Sequence, residues 1–359
     1  MDFIPYQIEA PKKFLPIFMI GAGGIVNDAH LPAYKLAGFS VEGIYDLDTE
    51  KAVTTAHKFG IPKVFHSLRE MLDSLPEELV FDVALPATAL LNLLPQLPQN
   101  ANVLIQKPMG VDLKEATQIL ELARKKNFTA GVNFQLRYAP YILAARSLVN
   151  QGVIGELCNI EINVNVFTPW HLWPFLYDAP RVEILYHSIH YIDLVRSFLG
   201  NPLKLYAKTL KHPKSVQLAS VRSTIIMDYG ETIGSTIVTN HCHNFGLRNQ
   251  HAYIKFEGTK GAIKIRIGTL LNYPTGIPDA FEYIEIKNEE PPQWNTVLIE
   301  GSWFPNAFVG SMAQIMRAAE GSVGKPDNSL EDCLYTMACV EAAYLSDKMD
   351  GVRINDLIE

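Results

Sequence analysis

Phe14-Leu-Pro-Ile-Phe-Met-Ile20 runs without a break into Gly21-Ala22-Gly23-Gly24-Ile25-Val26, and this junction decides how the first half of the chain reads. A short apolar run bounded by a turn signal reads as a buried strand. The glycines after it let the chain turn tightly and let backbone amides approach a pyrophosphate at the N-terminus of the next helix. Val26 occupies the place of the third fingerprint glycine. Glycine-rich turns are common, so the motif needs support from a second residue at the right distance along the chain.

Asp46 supplies it, 25 residues after Gly21 and at the end of the next strand-like run, Val41-Glu-Gly-Ile-Tyr45. A carboxylate there can accept both adenosine ribose hydroxyls. The same charge repels a 2'-phosphate, and Leu47 offers no arginine to neutralise one. The expected cofactor is therefore NAD, with NADP disfavoured; the plain alternative for Asp46 is a turn or helix cap. Lys107, in Ile105-Gln106-Lys107-Pro108, comes after another strand-like run and emerges at the carboxyl edge of the sheet, where ligands bind in open α/β folds. The proline restricts Lys107 to an extended conformation.

Residues 14–20, 41–45, 80–85, 103–105 and 129–134 read as buried strands, with helical periodicity between them at 48–59 and 112–126, Asp48 and Asp112 serving as N-caps. Such alternation means a parallel, doubly wound sheet. After Tyr138 the pattern changes. A helix over 141–150 ends at Gly152, and strand-like runs come next at 158–167, 203–210, 221–229, 232–240, 252–257 and 262–267, spaced as in a mainly antiparallel sheet. The closing helix, 329–349, opens on a capping pair, Ser329 and Asp332. The expected architecture is an α/β Rossmann domain over 1–136, then an α+β domain over 137–359 with an open, mainly antiparallel sheet. Helix 329–349 is a candidate to pack back on the first domain.

With 359 residues, 48% of them hydrophobic, the chain has material for two cores. A formal charge of −7 gives no attraction for phosphate backbones or anionic lipid, so neither nucleic acid nor membrane is expected as a partner. Met1 to Lys13 contains two prolines and two acids and does not read as a secretion signal. The four cysteines, Cys158, Cys242, Cys333 and Cys339, form no CxxC pair, and a reduced, cytoplasmic setting is expected.

Glu183-Ile-Leu-Tyr186-His187-Ser-Ile-His190-Tyr-Ile-Asp193 carries the chemistry of the second half. At 3.6 residues per turn, Tyr186, His187, His190 and Asp193 share one face, a stripe that suits a polar cleft and proton transfer. The plain alternative is a hydrogen-bonded core histidine and an ordinary Asp193–Arg196 helix pair. Trp170-His171-Leu-Trp173 offers a stacking wall for a sugar ring or simply core. His241 and His243 have workable spacing for two metal ligands on a strand, but no third ligand is evident, so no metal is expected.

Taken together, these residues make the chain similar to the Gfo/Idh/MocA oxidoreductases, the glucose-fructose oxidoreductase and inositol dehydrogenase family. The resemblance runs through Gly21-Ala-Gly23-Gly, His30-Leu-Pro-Ala33, Asp46, Lys107-Pro108, Arg137-Tyr-Ala-Pro140, Gly152-Val-Ile-Gly155-Glu, His190-Tyr-Ile-Asp193, Glu257-Gly-Thr-Lys-Gly261 and Ser329-Leu-Glu-Asp332. It implies hydride transfer between a nicotinamide and a sugar or polyol, with Lys107 and His190 catalytic. It places Asp193 against a substrate hydroxyl, and Tyr186, His187, Arg137 and Trp170 are the further candidates for the substrate side. Gly21, Gly23, Gly24 and Ile25, with Asp46, Pro86, Gln106 and Lys107, would contact the cofactor. It also implies a homodimer or homotetramer assembled through the C-terminal sheet. Two departures stand out: Gln106 replaces the usual glutamate, and Tyr186 replaces the acid often found four residues before the histidine, with His187 a candidate for part of that acid's role. An NAD-retaining glycosidase and a non-catalytic cofactor-binding regulator are the alternatives such a family allows.

Overall fold

The computed structural model describes residues 4–287 and 291–349, so the outermost residues of both expected domains lie outside the described residues. The first sheet is parallel, built from β1 (Ile17–Ile20), β2 (Val41–Tyr45), β3 (Val64–Phe65), β4 (Val80–Val83), β5 (Asn102–Ile105) and β6 (Thr129–Val132) in the order β3-β2-β1-β4-β5-β6. Helices α1 (Leu31–Ala37), α2 (Thr49–Phe59), α3 (Leu68–Leu72), α4 (Leu90–Leu93) and α5 (Leu113–Lys125) connect them. β1 and β4 are buried on both faces, which is why they read as unbroken apolar runs. Asp48 and Asp112 cap α2 and α5 by accepting the amides of Lys51 and Glu115. The crossover direction reverses between β1 and β4, and the glycine turn sits at that switch point.

α6 (Pro140–Asn150) and α7 (Ile189–Leu199) lie beside an eight-stranded sheet. Its strands are β7 (Leu157–Asn165), β8 (Lys204–Leu210), β9 (Arg222–Asp228), β10 (Gly234–Asn240), β11 (His251–Gly258), β12 (Gly261–Arg266), β13 (Ala280–Glu285) and β14 (Asn295–Val297). The order is β14-β13-β12-β11-β7-β10-β9-β8, antiparallel except for the parallel β7–β10 pair. Ile160, Ile162, Val164, Ile237, Ile254 and Phe256 point into the core. Alternate residues, including Glu161, Tyr253 and Lys255, make a polar opposite face on which Lys255 and Glu161 pair at 3.0 Å.

Two later helices return to the first sheet. α8 (Asn306–Ala319) buries Phe308, Met312, Ile315 and Met316 against Ile17, Met19 and Leu31. α9 (Leu330–Asp347), capped by Ser329, packs on α5 and β6 as well as on α7 and β8, and Asn328 Nδ2 donates to the Val132 carbonyl at 2.9 Å. Helix α9 thus touches the first sheet, while α8, which the sequence did not single out, completes one of its faces. Among the described residues no helix is long and apolar enough to cross a membrane.

Candidate active site

Gly21 adopts φ +112° and donates its amide to the Tyr45 carbonyl at 2.7 Å, and a Cβ there would stand 2.5 Å from the Ala84 carbonyl oxygen. Only glycine fits that approach. A Cβ on Gly23 would meet nothing within 4 Å, so the outer side of the turn is open, as a pyrophosphate cradle requires. Ile25 is half-buried beside it, and Pro86 is exposed just past the end of β4, across the switch point. Asp46 accepts the Ala22 amide at 2.7 Å and the Asp48 amide at 2.8 Å, one on each carboxylate oxygen. It therefore is a turn cap, and each oxygen keeps a second lone pair for a ribose hydroxyl. The glycine turn and Asp46 fit an NAD adenosine and pyrophosphate.

Val26–His30 forms a π-helical turn that aims His30 into the sheet. Fully buried, His30 gives its Nδ1 hydrogen to Asp82 at 2.7 Å, and Tyr34 donates to the same carboxylate oxygen. Nε2 of His30 lies 3.3 Å from the side-chain amides of both Gln106 and Asn133, which donate to it. Gln106 Oε1 then accepts the Lys107 amide at 2.8 Å, which fixes the amide's orientation and the backbone from which Lys107 projects. Sequence reasoning passed over Asp82, Tyr34 and Asn133, because nothing local marks a carboxylate in a central strand as part of a site.

From there Lys107 reaches across to the second half of the chain, its Nζ donating to the Tyr186 carbonyl at 2.9 Å. Burial lowers its pKa to about 8. His190, 7% exposed, lies edge-on to Trp303 with ring centroids 5.2 Å apart. Burial, reinforced by the Lys107 charge, holds its ring well below the ordinary histidine pKa. His187 is pushed down likewise by burial, then by His241, Lys107 and His190. Tyr186 is half-buried with its ring against Phe175 at 5.7 Å; burial and Glu115 raise its phenol pKa.

The single polar stripe does not survive. Ile184–Ser188 is a π-helical turn closed by the Ile189 amide on the Ile184 carbonyl, so 3.6-residue spacing does not carry from Tyr186 to Asp193. Asp193 turns inward, 1% exposed, where Arg137 grips both oxygens at 2.7 and 2.6 Å and Thr336 donates to Oδ1 at 2.9 Å. Arg137 also bonds Asp332 and the Asp327 carbonyl. Burial opposes the Arg137 charge, but the Asp193 carboxylate more than offsets it, and the guanidinium pKa is raised. Both residues, expected against substrate, lie in this internal network. Asp193, Asp332 and Cys333 bring three donor atoms within 4.8 Å of one another, with the Arg137 guanidinium already bonded to both carboxylates.

Trp170, 6% exposed, is a wall behind His187 at 5.1 Å, packed in a small cluster with Leu176, Val182, Leu218 and Val221. Phe175 and Tyr177 are exposed aromatics of the adjoining segment, with Trp173 half-buried against Tyr273. His241 and His243 take separate partners: His241 meets Thr168 and Glu183, and His243 receives the Asn165 amide at 3.1 Å.

Residues 15–134 match the model described as an oxidoreductase family with an NAD-binding Rossmann fold, and residues 146–354 match its C-terminal alpha/beta domain. The chain is 24% identical over 347 residues to D-apiose dehydrogenase of Paraburkholderia graminis, covering 91% of this chain and 86% of that one. It is 26% identical over 241 residues to glucose-6-phosphate 3-dehydrogenase of Bacillus subtilis, covering 63% and 67% of the two chains. Levoglucosan dehydrogenase, solved with NADH and levoglucosan, superposes with a TM-score of 0.76 at 18% identity over 93% of this chain and 97% of its own.

Proposed function

Because the chain belongs to the Gfo/Idh/MocA oxidoreductases through both of its domains, we propose that it is an NAD-dependent enzyme moving a hydride between nicotinamide and a CH–OH carbon of a sugar or polyol. The observation that carries this reading is the meeting of Lys107 with the Tyr186–His190 segment at the carboxyl edge of the Rossmann sheet. His190, kept neutral by burial, accepts the proton as the substrate O–H bond breaks. Lys107 donates a hydrogen bond to the same oxygen as negative charge develops there. When bound, NAD supplies the carbon that takes the hydride as C–OH becomes C=O. In the reverse direction His190 returns the proton.

Asp46 supports NAD over NADP through its charge. Arg137 and Asp193, sealed from solvent, act as a brace under α7, and Tyr186 and His187 border the substrate space. The sugar-dehydrogenase names of the relatives support the substrate class. The uncovered polar face of the eight-stranded sheet is where we place self-association, to be read by light scattering of wild type and a Tyr253→Asp variant.

A panel of sugars, inositols and sugar acids with NAD, read as absorbance of the reduced cofactor, tests the reading. Net NADH formation is expected. Bond hydrolysis without net NADH would favour the glycosidase, and cofactor binding without any turnover would favour the regulator.

A further inference from the structure

Glu183 has no exposed surface, and its carboxylate faces a histidine: His241 Nε2 lies 3.4 Å from Oε1. Ser188 donates to the same oxygen at 2.7 Å, and the Glu183 amide donates to Ser220 at 3.2 Å. On its other side, His241 Nδ1 meets Thr168 Oγ1 at 2.9 Å. Burying a carboxylate is unfavourable unless it is paired and hydrogen-bonded, so this arrangement is held for a reason or tolerated at a cost. Burial pushes the Glu183 carboxyl up, and His241 with the hydroxyls of Ser223 and Ser188 brings it below its ordinary value.

The pair is not isolated in the core. The His241 ring lies against His187, centroids 4.4 Å apart and tilted by 56°, and Trp170 stands edge-on to both at 5.1 and 5.4 Å. His187 is half-buried and sits between this packing and the charged site. The groups acting on it are His241 from the end of β10, Lys107 from beyond β5 and His190 from its own helix; Glu183 faces His241, and Trp170 is uncharged.

We propose that Glu183 and His241 are a positioning pair that fixes the His187 ring against Trp170 and presents it beside Lys107 and His190. The inference rests on the oxidoreductase reading of that site.

Histidine-selective ¹⁵N NMR of the full chain tracks the His187 titration without requiring turnover. In wild type the midpoint is expected below 6.5. In the Glu183→Gln, His241→Gln double variant no unpaired buried charge remains, and the midpoint should rise toward that ordinary value. Turnover of the sugar oxidised by wild type should fall about 10- to 100-fold in the same variant, with NAD affinity unchanged. An unmoved His187 titration overturns the proposal, as does wild-type turnover in the double variant. Should that variant not fold, the Glu183→Gln, His241→Asn pair removes the same imidazole from beside His187 with a smaller amide and is expected to shift the titration the same way; no shift there also overturns it. A wild type that oxidises no sugar defeats the oxidoreductase reading alone, since the titration still decides whether the pair acts on His187.

Discussion

Arg137 and Asp193 meet as a bidentate pair, Nε to Oδ2 at 2.7 Å and Nη2 to Oδ1 at 2.6 Å, with both side chains buried. The pair ties the segment after β6 to the middle of α7, three residues past His190. Removing Asp193 strips Arg137 of its bidentate partner and leaves it Asp332 and the Asp327 carbonyl, a loss below the roughly 3–5 kcal/mol of an uncompensated buried charge. Asp193→Ala should therefore lower the denaturation midpoint markedly while NAD affinity changes little. A variant with wild-type stability and a raised KM would return Asp193 to the substrate.

Lys107 and His190 serve one oxygen and one proton in the proposed reaction, so their losses should be strongly non-additive. Lys107→Ala and His190→Ala are each expected to slow turnover by about 10²-fold or more, and the double variant little further. Single-turnover reduction of NAD beside cofactor titration makes the measurement. Near-wild-type turnover in either single variant sinks the mechanism and leaves the fold untouched.

The two pKa shifts set a pH window. Lys107 is charged below about 8 and His190 is neutral until well below 6.5. For sugar oxidation, kcat/KM should hold through neutrality, fall as pH rises through about 8 with loss of the Lys107 proton, and fall on the acid side only below 6.5 as His190 takes one up. Gln106→Glu adds a carboxylate beside Lys107, favours its charged form and should move the basic limb upward. An unmoved limb would mean that Lys107 is not the group it reports.

Asp46→Ser should weaken NAD binding and relax discrimination against NADP, because it removes the charge that a 2'-phosphate would face. The variant also frees the Ala22 amide, so some loss of the turn's order is expected in both cofactors' affinities. Wild-type binding of NADP as tight as NAD would refute the assignment.

Local signals were legible wherever local forces decide. β1, β4 and β5 are runs buried in a parallel sheet, and the caps at Asp48, Asp112 and Ser329 bond amides three residues on. Two-residue β3 and three-residue β14 are too short to show a period, and they exist because neighbouring strands offer pairing edges. Lys107 and His190 were visible as residue types beside recognisable motifs, yet their meeting depends on a contact between residues 79 positions apart, Lys107 and Tyr186.

By itself the sequence determined the Rossmann half and the antiparallel half and marked the glycine turn, Asp46, Lys107 and His190 as candidates, because backbone periodicity and turn chemistry act over a few residues. Tertiary structure decided that Asp193 belongs to Arg137, that Glu183 belongs to His241 and that α8 completes the first core. Buried charges take the partner that packing brings within reach, and the π-helical turn at Ile184–Ser188 redirects the helix phase on which any reading by periodicity relies.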